Sequence, residues 1–231
     1  MAHNRLLQAL PLPDRNLLSP HMMEKPLQKN AVLFEAGAPI THIYFPHSGV
    51  VTLEVMSAEG VSVEATTIGL EGAIGIGGMM GGDVSFTRQT VELPGHASII
   101  ERRHFLDAVN TSATLRELMF RHADTFVAQL LQTAVCNALH DAEERLARGL
   151  LQLADRWHDA EIPITHEVLS TMLGVRRSTV TLAARVMQSA GFIRYRRGKI
   201  VIADRAGLEQ LACECYGIIT DLQARLTAQL E

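Results

Sequence analysis

Between Leu115 and Leu139 the chain runs without a glycine or a proline. Apolar residues fall there at spacings of three and four, which a helix gathers onto its faces. The stretch is therefore expected to be one long helix, capped by Asn110, Thr111 or Ser112. Its apolar residues form more than one face. One face can pack on the chain's own preceding domain; a second is covered most economically by the same helix of a second copy. Leu115, Met119, Phe126, Val127, Leu130 and Ala134 are the expected dimerisation residues, in a seam interrupted by His122, Gln129 and Thr133. The alternative is a core helix of a monomer.

The segment before this helix has the opposite texture. From residue 31 to 102, short β-rich runs such as "THIYFPHSG", "VVTLEVMSAEG" and "SFTRQTVELPG" end in Gly or Pro about every ten residues. That punctuation predicts a compact antiparallel barrel or sandwich. The N-terminus lacks the apolar core of a signal peptide, and no apolar run reaches the length of a membrane span. The expectation is a cytoplasmic protein with no membrane partner. Of the three cysteines, Cys213 and Cys215 form C-x-C, and no second Cys pair completes a zinc site. They are read as reduced structural thiols, with no metal site.

Charge is uneven along the chain. The formal net charge is −4, yet Val175–Lys199 carries seven Lys and Arg and no Asp or Glu. A solvated face would explain charge alone; the surrounding pattern says more. Thr165 can cap a short helix through Leu173, with Glu167 in its first turn and Val168, Leu169 and Met172 on its apolar side. Gly174 supplies a turn. A second helix, with Ser178 and Thr179 in its first turn, runs to about Ala190, its inner face formed by Val180, Ala183, Ala184 and Met187. After Gly191, "FIRYRRGKIVIAD" reads as two strands around Arg197-Gly198. Helix, glycine turn, helix and hairpin make a winged helix-turn-helix, whose second helix enters the DNA major groove by its N-terminus. A carboxylate there would face phosphates, which accounts for the acid-free run.

The stretch "ITHEVLSTMLGVRRSTVTLAARVMQSAGFIRYRRGKIVI" resembles the winged helix-turn-helix of the cyclic-AMP receptor protein and fumarate–nitrate reductase regulator (Crp/Fnr) family. The resemblance extends over nearly the whole chain. It implies an α+β fold: a cyclic-nucleotide-binding-like β-roll (jelly roll) in residues 1–110, a dimerisation helix in 111–140, and in 141–231 a winged helix-turn-helix with a helical tail. It further implies a homodimeric transcription regulator, not an enzyme, that binds a palindromic double-stranded operator and contacts RNA polymerase. Carried over by position, Arg177 is the guanine-reading arginine and Ser178 a base contact. Leu182 stands where the cyclic-AMP receptor has a second base-contacting arginine, which implies a different operator. Thr165 and Thr179 match phosphate contacts. Arg176, Thr181, Arg185, Arg196, Arg197 and Lys199 complete the expected DNA surface.

The effector segment departs from the family. A cyclic-nucleotide pocket needs Gly-Glu and, later, Arg with a small hydroxyl residue. Here Gly75 is followed by Ile76, Glu71 lies too early, Arg88 can stand for the arginine, and Gln89 replaces the hydroxyl residue. Gly75, Arg88 and Gln89 are thus the candidates for a degenerate pocket not expected to hold cyclic AMP. There is no Cys before Cys136 for an iron–sulfur sensor. The histidines His42, His47, His96 and His104 make no haem signature, and Ser170 breaks the resemblance of His166-Glu167 to a zinc-protease motif. The effector is left unknown. Two rival readings are a small-molecule sensor acting through protein contacts and a true cyclic-nucleotide-responsive regulator.

Overall fold

The structure is a computed structural model that describes residues 4–60, 62–75, 77 and 82–228. Helices α1 (Arg5–Ala9) and α2 (Leu12–Leu18) lead into seven strands: β1 (Met22–Leu27), β2 (Val32–Phe34), β3 (His42–Pro46), β4 (Val50–Met56), β5 (Ser62–Ile68), β6 (Arg88–Leu93) and β7 (Gly95–Glu101). Then come α3 (Arg102–Thr111), α4 (Ala113–Leu139), α5 (Ala142–Ala154), β8 (Glu161–Ile162), α6 (His166–Leu173) and α7 (Arg177–Ser189). The chain closes with β9 (Ile193–Arg196), β10 (Lys199–Ile202), α8 (Arg205–Leu211) and α9 (Cys215–Ala228). No described helix is long and apolar enough to cross a membrane. Two compact units divide the chain: residues 1–55, 67–128 and 221–231, and residues 56–66 and 129–220. They part inside α4, upstream of the 140/141 boundary that the sequence suggests.

The first unit holds the antiparallel sheet β1-β7-β3 and the strands β2, β6 and β4, up to Val55, of a sheet ordered β2-β6-β4-β5. Alternation along β3 and β6 turns Ile43, Phe45, Val91 and Leu93 inward, where they join Ile74, Ile100 and Phe105 in the core. Asn4 ties the N-terminus to this core. Its side-chain oxygen accepts from the N–H groups of Leu6 and Leu7, and its amide donates to the carbonyls of Pro46 and Gly72.

Ser112 opens α4, its Oγ accepting from Leu115 N at 2.9 Å. The first turns pack inward: Leu115, Leu118 and Met119 are buried in the first unit's core, and Phe126 packs against it. Leu115 and Met119 are therefore corrected from dimerisation residues to core residues, because their apolar surface is already covered within the chain. The polar interruptions of the seam also face inward. His122 Nε2 accepts from Ala73 N at 3.2 Å, the Gln129 amide donates to Thr66 Oγ1, and Thr133 bonds the Gln129 carbonyl. The face left outside carries Phe120, Asp124, Val127, Leu131, Ala134 and Ala138, all exposed. Their spacings alternate four and three residues, the a/d pattern of a two-helix seam, with Asp124 as its polar break. Leu130, one residue away, is only half-exposed.

His122 makes the first unit sensitive to acid. Burial pushes its pKa from 6.5 down to about 4, against the opposing pull of the Glu71 charge. The unfolded chain therefore binds one more proton than the native state between those pH values. Stability is complete above pH 6.5 and falls as pH drops toward 4, by about 3 kcal/mol in total from this group. Urea unfolding followed across that range is expected to show this slope, and His122→Gln, which keeps an acceptor for Ala73 N, is expected to flatten it. An unchanged slope in the variant would assign the acid sensitivity elsewhere.

In the second unit, α5 begins with a reciprocal cap between Asp141 and Glu144 and buries Leu146, Leu150 and Leu153. Against it lie α6, α7 and α8, and the sheet β8-β10-β9 meets α7 through β9.

Candidate nucleic-acid interface

Thr165 Oγ1 caps α6 by accepting from Val168 N at 3.3 Å. The helix ends at Gly174, which is left-handed (φ 61°, ψ 34°), a conformation that favours glycine because no Cβ crowds the carbonyl. Arg176 then leads into α7 without any side-chain cap. The buried face of α7 is Val180, Ala183, Ala184 and Met187, as the periodicity predicts. The buried face of α6 is shifted from expectation: Leu169, Ser170 and Leu173 are inside, while Val168 and Met172 are half-exposed. Ser170 can be buried because its hydroxyl donates to the Glu167 carbonyl at 2.6 Å.

The opposite face of α7 is open. Arg176, Arg177, Ser178, Leu182 and Arg185 are exposed and Thr179 is half-exposed. The wing turns through Arg197 (φ 49°) and Gly198 (φ 77°), two successive positive φ values that suit a tight hairpin. Arg194, Arg196, Arg197 and Lys199 are exposed along it. Three residues with no local sequence signal fix the wing against α7. His166 stacks on Tyr195, with ring centres 4.1 Å apart, and its Nδ1 lies 3.1 Å from Thr181 Oγ1. Gln188 Oε1 accepts from Tyr195 N at 3.0 Å. Burial, and then the Arg177 charge, hold the His166 pKa below its ordinary value, so the ring that joins wing to helix is neutral. Between them lies a hollow of about 270 Å³ lined by His166, Thr181, Ala184, Arg185, Gln188 and Tyr195.

Besides Thr165, three of the expected contacts have partners within the chain. Thr181 is half-buried, and its hydroxyl donates to the Arg177 carbonyl at 3.0 Å. Lys199 Nζ meets Glu161 at 2.5 Å, which holds the Glu161 carboxyl below the usual range, so a phosphate would have to displace that carboxylate. Arg177 Nε lies 3.7 Å from Glu167 with both side chains largely exposed. An ion pair in such a setting is worth roughly 0–1 kcal/mol, so Arg177 is readily released.

The effector candidates are less open. Gly75 lies among the described residues, but Ile76 lies outside them. Arg88 Nε faces Glu35 at 3.4 Å, with both side chains substantially exposed. Gln89 is buried, and its amide donates to Ser85 Oγ at 3.0 Å. Of the histidines considered for haem, His47 bonds Ser98 at 2.8 Å and His104 stacks on His21.

Residues 144–211 match the Crp-like helix-turn-helix domain family. The chain is 26% identical over 199 residues to the transcriptional regulator SdrP of Thermus thermophilus, covering 80% of this chain and 95% of that one. Among solved structures, FixK2 of Bradyrhizobium japonicum superposes with a TM-score of 0.72 at 15% identity, covering 83% of this chain and 98% of that one. A CRP/FNR-family transcriptional regulator of Thermus thermophilus gives a TM-score of 0.69 at 22% identity, covering 82% and 98%. These two likenesses concern the fold.

Proposed function

We propose that the chain, a Crp/Fnr-type transcription regulator with a helix-turn-helix DNA-binding domain, acts as a homodimer on a two-fold symmetric operator without a cyclic nucleotide. In this reading α7 enters the major groove, Arg177 pairs with a guanine edge, and Arg196 and Arg197 lie along the backbone. The observation that carries it is the open face of α7 beside the wing, exposed and basic, with no acidic residue from Val168 to Ala203. The a/d stripe of α4 supports the dimer. The buried Gln89 supports an effector domain that does not use cyclic AMP.

Selection of bound sequences from random duplex DNA tests the reading. The expected product is a palindrome enriched to the same consensus and affinity with and without saturating cyclic AMP or cyclic GMP. No enriched sequence would defeat the DNA assignment. Enrichment only in the presence of a nucleotide would defeat the effector assignment alone.

A further inference from the structure

The three cysteines that look unrelated in the sequence meet at one point. Cys136 and His140 are one helical turn apart at the C-terminal end of α4, the i, i+4 spacing by which a helix offers two donors to one ion. Cys213 and Cys215 flank Glu214 at the junction of α8 and α9. Cys136 Sγ lies 3.5 Å from Cys213 Sγ, and Cys215 Sγ lies 3.5 Å from His140 Nδ1. All four donor atoms fall within 4.8 Å of one another, and the three thiols are buried and unbridged. We propose that Cys136, His140, Cys213 and Cys215 form a tetrahedral Cys₃His site for a single thiophilic divalent cation, with Zn²⁺ the fitting ion.

The spacing argues for one ion. Zn–S bonds of about 2.3 Å and Zn–N bonds of about 2.0 Å at tetrahedral angles separate neighbouring donors by roughly 3.5–3.8 Å. The Cys136–Cys213 and Cys215–His140 separations match that figure, and the other donor pairs, all within 4.8 Å, can reach it by small side-chain adjustments. A multi-iron cluster would spread its sulfurs around a core of several atoms. Three thiolates and an imidazole are soft to borderline donors, which select Zn²⁺ over Mg²⁺ or Ca²⁺.

The surroundings are those of a metal centre. His140 Nε2, the nitrogen turned away from the sulfurs, lies 3.2 Å from Glu214 Oε2, the carboxylate–histidine arrangement that orients a ligating imidazole. Gln132 Nε2 lies 3.0 Å from Cys215 Sγ and can donate to a thiolate there. Three thiolates on a divalent ion leave one negative charge. Arg145 and Arg148 are both buried within electrostatic reach of these cysteines, and each leaves its Nε–H without an acceptor. Two buried guanidiniums beside neutral thiols would be costly; beside an anionic metal–thiolate centre they are compensated.

The test uses the full chain, reduced and stripped of metal, titrated with Co²⁺ as a spectroscopic probe. The expected result is one Co²⁺ per chain, with intense tetrahedral ligand-field bands and thiolate-to-metal charge transfer, displaced by one Zn²⁺. Zn²⁺ should also raise the melting temperature. Cys213→Ser and Cys215→Ser should abolish the charge-transfer bands and the Zn²⁺-dependent rise, while melting as the metal-free wild type does. Glu214→Gln, changing a positioning residue, should weaken binding about 10- to 100-fold and leave the bands in place. If Cys213→Ser melts far below metal-free wild type, Glu214→Gln decides, since its side chain is largely exposed. The proposal is overturned if reduced wild type gives no tetrahedral Co²⁺ spectrum. It is equally overturned if Cys136→Ser and Cys213→Ser bind Co²⁺ as wild type does, or if air-exposed protein holds a Cys136–Cys213 disulfide and the reduced form binds no metal.

Discussion

Leu131→Glu is expected to give a folded monomer whose affinity for a two-fold symmetric duplex falls by about 10²- to 10⁴-fold, the avidity lost when two half-sites are no longer bound together. Leu131 is 65% exposed in the single chain, so a glutamate there costs the protomer little. In a dimer that pairs α4 along its outer stripe, the same position is buried, and two carboxylates would face one another without partners. Sedimentation of the wild type should report about twice the 25.3 kDa chain mass, and of the variant the chain mass itself. Leu130→Glu is a weaker discriminator, because Leu130 is already half-covered within its own chain. A monomeric wild type at micromolar concentration would remove the dimer. A dimeric Leu131→Glu protein with unchanged DNA affinity would move the interface off this stripe.

That experiment turns on the point where sequence reasoning was least able to help. Periodicity reveals that α4 has two apolar faces but not which of them the protomer covers. Leu115 and Met119 look like seam residues and are core residues, because the sheets lie against that side. His122 and Gln129 look like defects in the seam and are inward-facing polar residues with partners at Ala73 and Thr66. Strand β1 has no period-two signal: only Leu27 is buried, and Pro26 sits opposite His96 in a strand that runs along the sheet edge. The helix-turn-helix, by contrast, is local. Its caps, its glycine turn and the inner face of α7 depend on residues a few positions apart, and Val180, Ala183, Ala184 and Met187 fall where the pattern puts them. The thiol cluster lies at the other extreme. C-x-C carries no zinc signature until a helix end 77 residues earlier in the chain, Cys136 to Cys213, supplies the other two donors.

The local legibility of α7 and the wing lets their arginines be separated by the work each does. Arg177 opens α7, where a planar guanidinium can reach the two acceptors of a guanine edge, and its pair with Glu167 is loose enough to break on binding. Arg177→Ala is expected to cost about 1–3 kcal/mol per half-site on the operator and to relax preference at one base pair. Arg197 sits at the wing tip with a positive φ of 49°, and in the proposed complex its partner would be a phosphate. Arg197→Asn keeps a residue type that tolerates that backbone, so the change removes charge without straining the turn. It is expected to weaken operator and scrambled duplex alike and to lower the salt slope by about one unit per half-site. Titrating both variants against both duplexes at several salt concentrations reads the difference. Equal proportional losses on operator and scrambled DNA for Arg177→Ala would make Arg177 a phosphate contact and displace the recognition role along α7. If neither variant altered DNA binding, the acid-free stretch would belong to a protein-docking surface.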